Sequence, residues 1–214
     1  MGTKFRDSFG MDSKLNLWLS RVTDFIPLNA LWTVCSLPII TMGSAYAALN
    51  SVLLKYAAKE DISCVKDYFN AFKKNLKKTI GVSLLSGVLL LILAVDIYIA
   101  FTIRFRAYIV MIGFAIFMIL NILMTDLYYF IIVNQTSGRN TELLKTSYSM
   151  GMAFLPNTLV MVVLTLIPAA ICYFNTTLFI KLIFVWMIGG ISVTQWACIL
   201  LFQKSSTRLT KMRQ

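Results

Sequence analysis

Four stretches of this 214-residue chain, 80–103, 107–133, 150–174 and 178–202, run for about 22–27 residues each with almost no charge. Each is long enough to cross a hydrocarbon core of roughly 30 Å as a helix. A compact soluble core could not bury four such runs. Across the chain 58% of residues are apolar and only 14% charged, against about 25% charged in a typical soluble domain. The pattern predicts an all-α integral membrane protein. It excludes an ordinary soluble enzyme or a secreted module.

Histidine is absent altogether. Triads with a His base, His-ligated zinc and His–Glu metalloprotease helices are therefore impossible within this chain. Cys35, Cys64, Cys172 and Cys198 stand singly, with no Cys-x-x-Cys and no metal-ligand spacing. Free thiols are expected. No Gly-rich dinucleotide pattern or Walker pattern is present. No cofactor, metal site or catalytic residue is assigned, and an enzyme is not expected. Twenty Lys and Arg against nine Asp and Glu give a net charge of +11. In a soluble protein that would suggest nucleic acid. Here the basic residues read as loops facing anionic lipid headgroups, so no nucleic-acid partner is expected.

Residues 1–24 mix Lys4, Arg6, Lys14 and Arg21 with Asp7, Asp12 and Asp24 and hold no apolar core, so they do not read as a signal peptide. The apolar stretch 25–54 would span about 45 Å as one helix, more than a single crossing needs. Pro38 and Gly43 interrupt it. Over 15–58 two readings compete: one long kinked crossing, or a hairpin with arms at about 15–37 and 44–58 and a turn at 38–43.

Residues 63–78 predict a basic amphipathic helix. Val65, Phe69, Phe72 and Leu76 recur at helical spacing on one face, with Lys66, Lys73, Lys74, Lys77 and Lys78 over the rest. Ser63 suits its N-cap. That face fits either the membrane interface or the protein's own helices. Residues 134–149 read as a polar loop and 203–214 as a basic tail. No repeat or second domain is visible, so 1–214 is one membrane domain.

The tight turns at 104–106 and 175–177 must share one side of the membrane. The segments 55–79 and 134–149 and the tail share the other, with thirteen Lys and Arg against three (Arg104, Arg106 and Lys181). The excess places that side, with the C-terminus, in the cytoplasm. A kinked first crossing would give five spans and thirteen basic residues against seven. A hairpin gives six, with both termini inside and seventeen against three. The hairpin is favoured, in a bundle of five to six transmembrane helices.

Ionisable residues at membrane depth are functional candidates by default. Asp96 lies towards the outer end of 80–103 and Asp126 towards the inner end of 107–133. Their unmatched depths argue against a carboxylate pair. Lys181 enters the last span near the depth of Asp96, and a pairing of Asp96 with Lys181 or an outer Arg is expected. Asn121, Thr125 and Asp126 form the most polar patch in any span, followed by Tyr128 and Tyr129. The patch could line a solute cavity, or it could tie helices together. Small residues from Gly43 to Ala48, the Ser83/Gly87 pair and Gly189–Gly190 read as close-packing positions.

Several motifs resemble the YesL-like family of bacterial multipass membrane proteins, built around a domain of unknown function. They are Asn29-Ala30-Leu31-Trp32, then Ser36 to Gly43 with Pro38 and Thr41, then Ala47-Ala48-Leu49, then 67–77 with Phe69, Phe72, Lys73 and Asn75. The resemblance is strong over 15–80. Where members carry Pro after the glycine of the turn, this chain has Ser44. The resemblance implies a small protein of Gram-positive bacteria whose gene neighbours are carbohydrate uptake systems, sugar-degrading enzymes and two-component sensors. It implies no activity and no catalytic residue.

The reading that follows is a cell-membrane protein acting as an accessory or regulatory partner of a carbohydrate uptake or sensing system. Its expected partners are anionic lipids and membrane subunits of a sugar transporter or sensor kinase. The alternative is a small-solute transporter or channel that uses an intramembrane polar cavity.

Overall fold

The computed structural model describes residues 25–58, 60, 62–103, 108–136, 138–174, 177 and 189–212. All regular structure among them is helical. The elements are α1 (Phe25–Ser36), a 3-10 turn at Ile39–Thr41, α2 (Met42–Ala57), α3 (Cys64–Ile103), α4 (Tyr108–Gln135), α5 (Asn140–Ala153), α6 (Leu155–Phe174) and α7 (Ile191–Met212). Among the described residues α3 and α4 are long and apolar enough to cross a membrane. The bent pair of α5 with Leu155–Ile167 makes a third if it counts as one span.

The first apolar stretch is a hairpin. The Phe25 ring, at the start of α1, lies 5.8 Å from that of Tyr56, near the end of α2. A single kinked crossing would hold these rings far apart. Pro38 stops α1, because the residue before a proline is driven out of helical geometry. Thr41 then closes the turn: its backbone N–H donates to the Pro38 carbonyl at 2.9 Å. Its hydroxyl lies 2.8 Å from the Cys35 carbonyl, one of the orphan acceptors at the end of α1.

The hairpin lies beside the lysine-rich half of α3. Lys55 Nζ pairs with Asp67 at 3.0 Å at one end. Ser44 Oγ donates to Thr79 Oγ1 at 2.8 Å towards the other, since the Thr79 hydroxyl itself donates to the Asn75 carbonyl. The stripe of small residues makes this approach possible. A Cβ on Gly43 would sit 2.5 Å from Ser83 Cβ and 3.0 Å from the Phe130 ring. Gly43, Ser44, Ala45, Ala47 and Ala48 are all buried. The other expected close-packing glycines behave differently. Among the described residues, a Cβ on Gly87 or Gly189 would meet nothing within 4 Å.

Helix α3 corrects the expected division at 78–80. The amphipathic segment 63–78 and the span 80–103 form one continuous helix of 40 residues, since neither Gly nor Pro interrupts 64–80. Its buried face also differs from the expected aromatic one. Tyr68, Ala71, Asn75, Thr79 and Val82 are buried, while Val65 and Phe69 stay exposed. Close contact with α2 selects small and hydrogen-bonding side chains in place of the bulky stripe.

Three further boundaries move. The expected loop 134–149 is mostly α5, and the helix breaks at Phe154, where the axis turns by 103°. Pro156 explains the break: it has no N–H for the Met152 carbonyl, and its ring would clash there. The expected tail 203–214 continues α7 as far as Met212. Its Ser205 is buried and accepts from Asn157 Nδ2 at 2.8 Å.

Beyond the packed end, α3 and α4 project as an apolar arm. Tyr98 on α3 and Val110 on α4 are 72% and 73% exposed. Most of the buried residues of α4 lie in its other half, from Met124 to Val133, with Ala115 also buried. A lipid-facing surface accounts for such an arm. The residues 1–24, Arg104, Arg106 and Lys181 lie outside the described residues, as does 178–188 of the last expected span.

Candidate functional site

Where the arm meets the packed end, four helices enclose a partly open cavity of about 250 Å³. Helix α2 contributes Met42, Gly43 and Tyr46. Helix α3 contributes Ser83, Ser86 and Gly87, α4 contributes Asp126 and Phe130, and α6 contributes Thr165. Most of the remaining lining is Leu and Val. The missing Cβ of Gly87 leaves space there.

Among the described residues of the lining, Asp126 is the one ionisable carboxylate, and there is no Lys or Arg. The Ser86 hydroxyl lies within hydrogen-bonding reach of it and 3.2 Å from the Ser83 carbonyl. The Tyr46 hydroxyl is buried and has no hydrogen-bond partner among the described residues. Its ring meets Phe130 edge to face at 5.5 Å. The Thr165 hydroxyl is bound to its own helix, at the Met161 carbonyl. This arrangement places a carboxyl group and a phenol oxygen inside a largely apolar chamber. Two aromatic rings share the lining.

The sequence candidates are dispersed. Asn121 Nδ2 donates to the Phe117 carbonyl and Thr125 Oγ1 to the Asn121 carbonyl, both at 2.8 Å within α4. Neither lines the cavity, because the nearest acceptor for each is one turn back on its own helix. Of that patch Asp126 alone reaches the cavity. Asp96 lies further along α3, outside the lining, and its expected partners Lys181, Arg104 and Arg106 lie outside the described residues. Tyr128 and Tyr129 are fully buried. Tyr128 OH donates to Thr158 Oγ1 at 3.1 Å, and Tyr129 OH to the Lys78 carbonyl at 3.1 Å. They tie helices together.

Tyr46, Ser86 and Thr165 were not singled out in the sequence. Ser86 stands one turn from Ser83, and Tyr46 interrupts a run of small residues. Those signals are local, whereas the cavity is made by convergence of distant segments.

The motif residues have structural places. Asn75 Nδ2 donates to Asn134 Oδ1 at 2.6 Å. Phe72 is half-buried and stacks on Tyr68 at 6.4 Å. Lys73 is exposed. Outside the apolar spans, the Lys55 ammonium beside Asp67, with the Ser63 backbone N–H, holds the Asp67 carboxyl below its usual value.

Comparison with known proteins bears out the resemblance over the hairpin and α3. The family model described as a protein of unknown function, DUF624, matches residues 25–97. No curated protein and no solved structure matches the chain.

Proposed function

We propose, for a chain whose residues 25–97 match the DUF624 family, an accessory or regulatory role beside a carbohydrate uptake or sensing system of the bacterial cell membrane. The lysine-rich half of α3 faces the cytoplasm, as does the C-terminus, on the count of basic residues. The sequence favours six helices with both termini inside. The hairpin supports the placement of the N-terminus, since it returns the chain to the side it left. Its tip carries Leu37 and Ile39, which are 76% and 79% exposed and suit the edge of the hydrocarbon. The hairpin lies beside 67–83 of α3.

One observation carries the reading. Val65, Phe69 and Lys73, four residues apart and all exposed, form an apolar edge that runs into lysines on the rigid cytoplasmic half of α3. Such an edge suits anionic headgroups and a partner's membrane-proximal helix. A photo-crosslinking residue at Phe69 in native membranes tests it. Capture of a sugar-transporter subunit or a sensor kinase supports the role. Capture of lipid alone, or of further copies of this chain, counts against it.

The cavity around Asp126 favours a second reading, a small-solute transporter. Proteoliposome flux that Asp126→Asn abolishes would support it, and flux indifferent to that change would oppose it.

A further inference from the structure

We infer that the cavity between α2, α3, α4 and α6 binds a small, largely apolar molecule carrying a protonated amine. This inference stands apart from the accessory role. It rests on the solute reading for its site alone, and it names the class of ligand.

Three features converge on this chemistry. Among the described residues, the lining around the Asp126 carboxylate holds no Lys or Arg, and a buried carboxylate calls for a cation or a proton. The Tyr46 hydroxyl is buried without a hydrogen-bond partner among the described residues, and its oxygen can accept from an ammonium N–H. The rings of Tyr46 and Phe130 form an edge-to-face pair in the lining, and aromatic rings attract ammonium groups. The rest of the wall is aliphatic and suits an apolar body. At about 250 Å³ the space admits a ligand the size of a phenylalkyl amine, smaller than most drug-sized pockets.

The test uses the full chain in nanodiscs of phosphatidylglycerol, titrated with phenethylamine at pH 7.5 by calorimetry. The neutral isostere 2-phenylethanol is titrated beside it. Saturable binding of the amine is expected, at least tenfold tighter than the alcohol. Asp126→Asn should weaken it tenfold or more and Tyr46→Phe severalfold. Asn121→Leu, whose amide serves its own helix, should leave it unchanged. Should Asp126→Asn fail to fold, the Tyr46→Phe variant and the amine-to-alcohol ratio on the unaltered protein carry the test. A primary ammonium can also arrive on a lipid headgroup. Nanodiscs containing phosphatidylethanolamine distinguish the sources: competition there identifies the lipid, and unchanged affinity identifies the free amine. Equal binding of amine and alcohol, no saturable amine binding, or an Asp126→Asn protein that binds as before would overturn the inference. Binding without flux would refute transport and leave the site standing.

Discussion

The side-chain amide of Asn75 donates to that of Asn134 at 2.6 Å, across 59 residues of sequence. Asn134 in turn donates to the Ala47 carbonyl at 2.9 Å. Helices α2, α3 and α4 are thus joined at one point by two amides. Asn75 is 1% exposed, so its amide lies out of reach of water, while Asn134 is half-buried. Replacing Asn134 by Leu should destabilise the fold by about 2–3 kcal/mol, because it strands a buried amide. The double variant Asn75→Leu/Asn134→Leu should lose less than the sum of the single variants. Denaturation in detergent measures this, and strict additivity would refute the coupling.

Gly43 sets the distance between the hairpin and α3. Gly43→Ala places a methyl 2.5 Å from Ser83 Cβ. Overpacking of this kind costs about 1–3 kcal/mol. Ser83→Gly in the same chain should recover most of it. Melting temperatures of the four proteins decide the matter, and a Gly43→Ala variant as stable as its parent would show that the helices can slide apart.

The Lys55–Asp67 pair makes stability depend on pH. The folded carboxyl is held below its unfolded value. Its contribution is present above the unfolded value, near 3.9 for Asp, and is lost as pH falls through the lower folded value. Lys55 is 39% exposed, so screening limits the effect to about 0.5–1 kcal/mol. The drop in melting temperature between pH 6 and pH 2 should shrink in Asp67→Asn. An identical drop in both proteins would assign the acid sensitivity elsewhere.

Thr158 braces the bend between α5 and α6. It accepts from Tyr128, and its own proton is 3.0 Å from the carbonyls of both Gly151 and Phe154 by heavy-atom distance. Thr158→Val should cost about 1 kcal/mol, since the Tyr128 hydroxyl loses one of its two side-chain partners and keeps Ser205. Tyr128→Phe in that background should restore part of it. Spin labels at Tyr148 and Val163 would report whether the bend opens as the brace is lost.

Much of the architecture was legible along the chain. Pro38 and Gly43 mark the hairpin turn, and the small residues after it mark a packed stripe. The buried face of α3 was less legible. Val65, Phe69, Phe72 and Leu76 make the more apolar stripe, yet Tyr68 and Thr79 bond to α2 and Asn75 to α4. In a helix beside a bilayer, bulky apolar groups can face lipid at no penalty, so apolarity no longer identifies the inside. The polar patch in α4 misled for a related reason. Asn121 and Thr125 satisfy themselves on their own helix, which their spacing cannot reveal.

The sequence by itself determined that the chain is helical, that its apolar runs are long enough to cross a membrane, and that basic residues outnumber acidic ones twenty to nine. Those properties follow from runs, composition and loop counts, which need no knowledge of distant contacts. Only the tertiary structure decided that the hairpin lies beside the basic half of α3, that α5 turns sharply into α6, and that Asp126 shares a cavity with Tyr46 and Ser86. These depend on pairs such as Gly43 with Ser83 and Asn75 with Asn134. Helical period tells which residues share a face, and close packing between segments far apart in the chain decides which face is used.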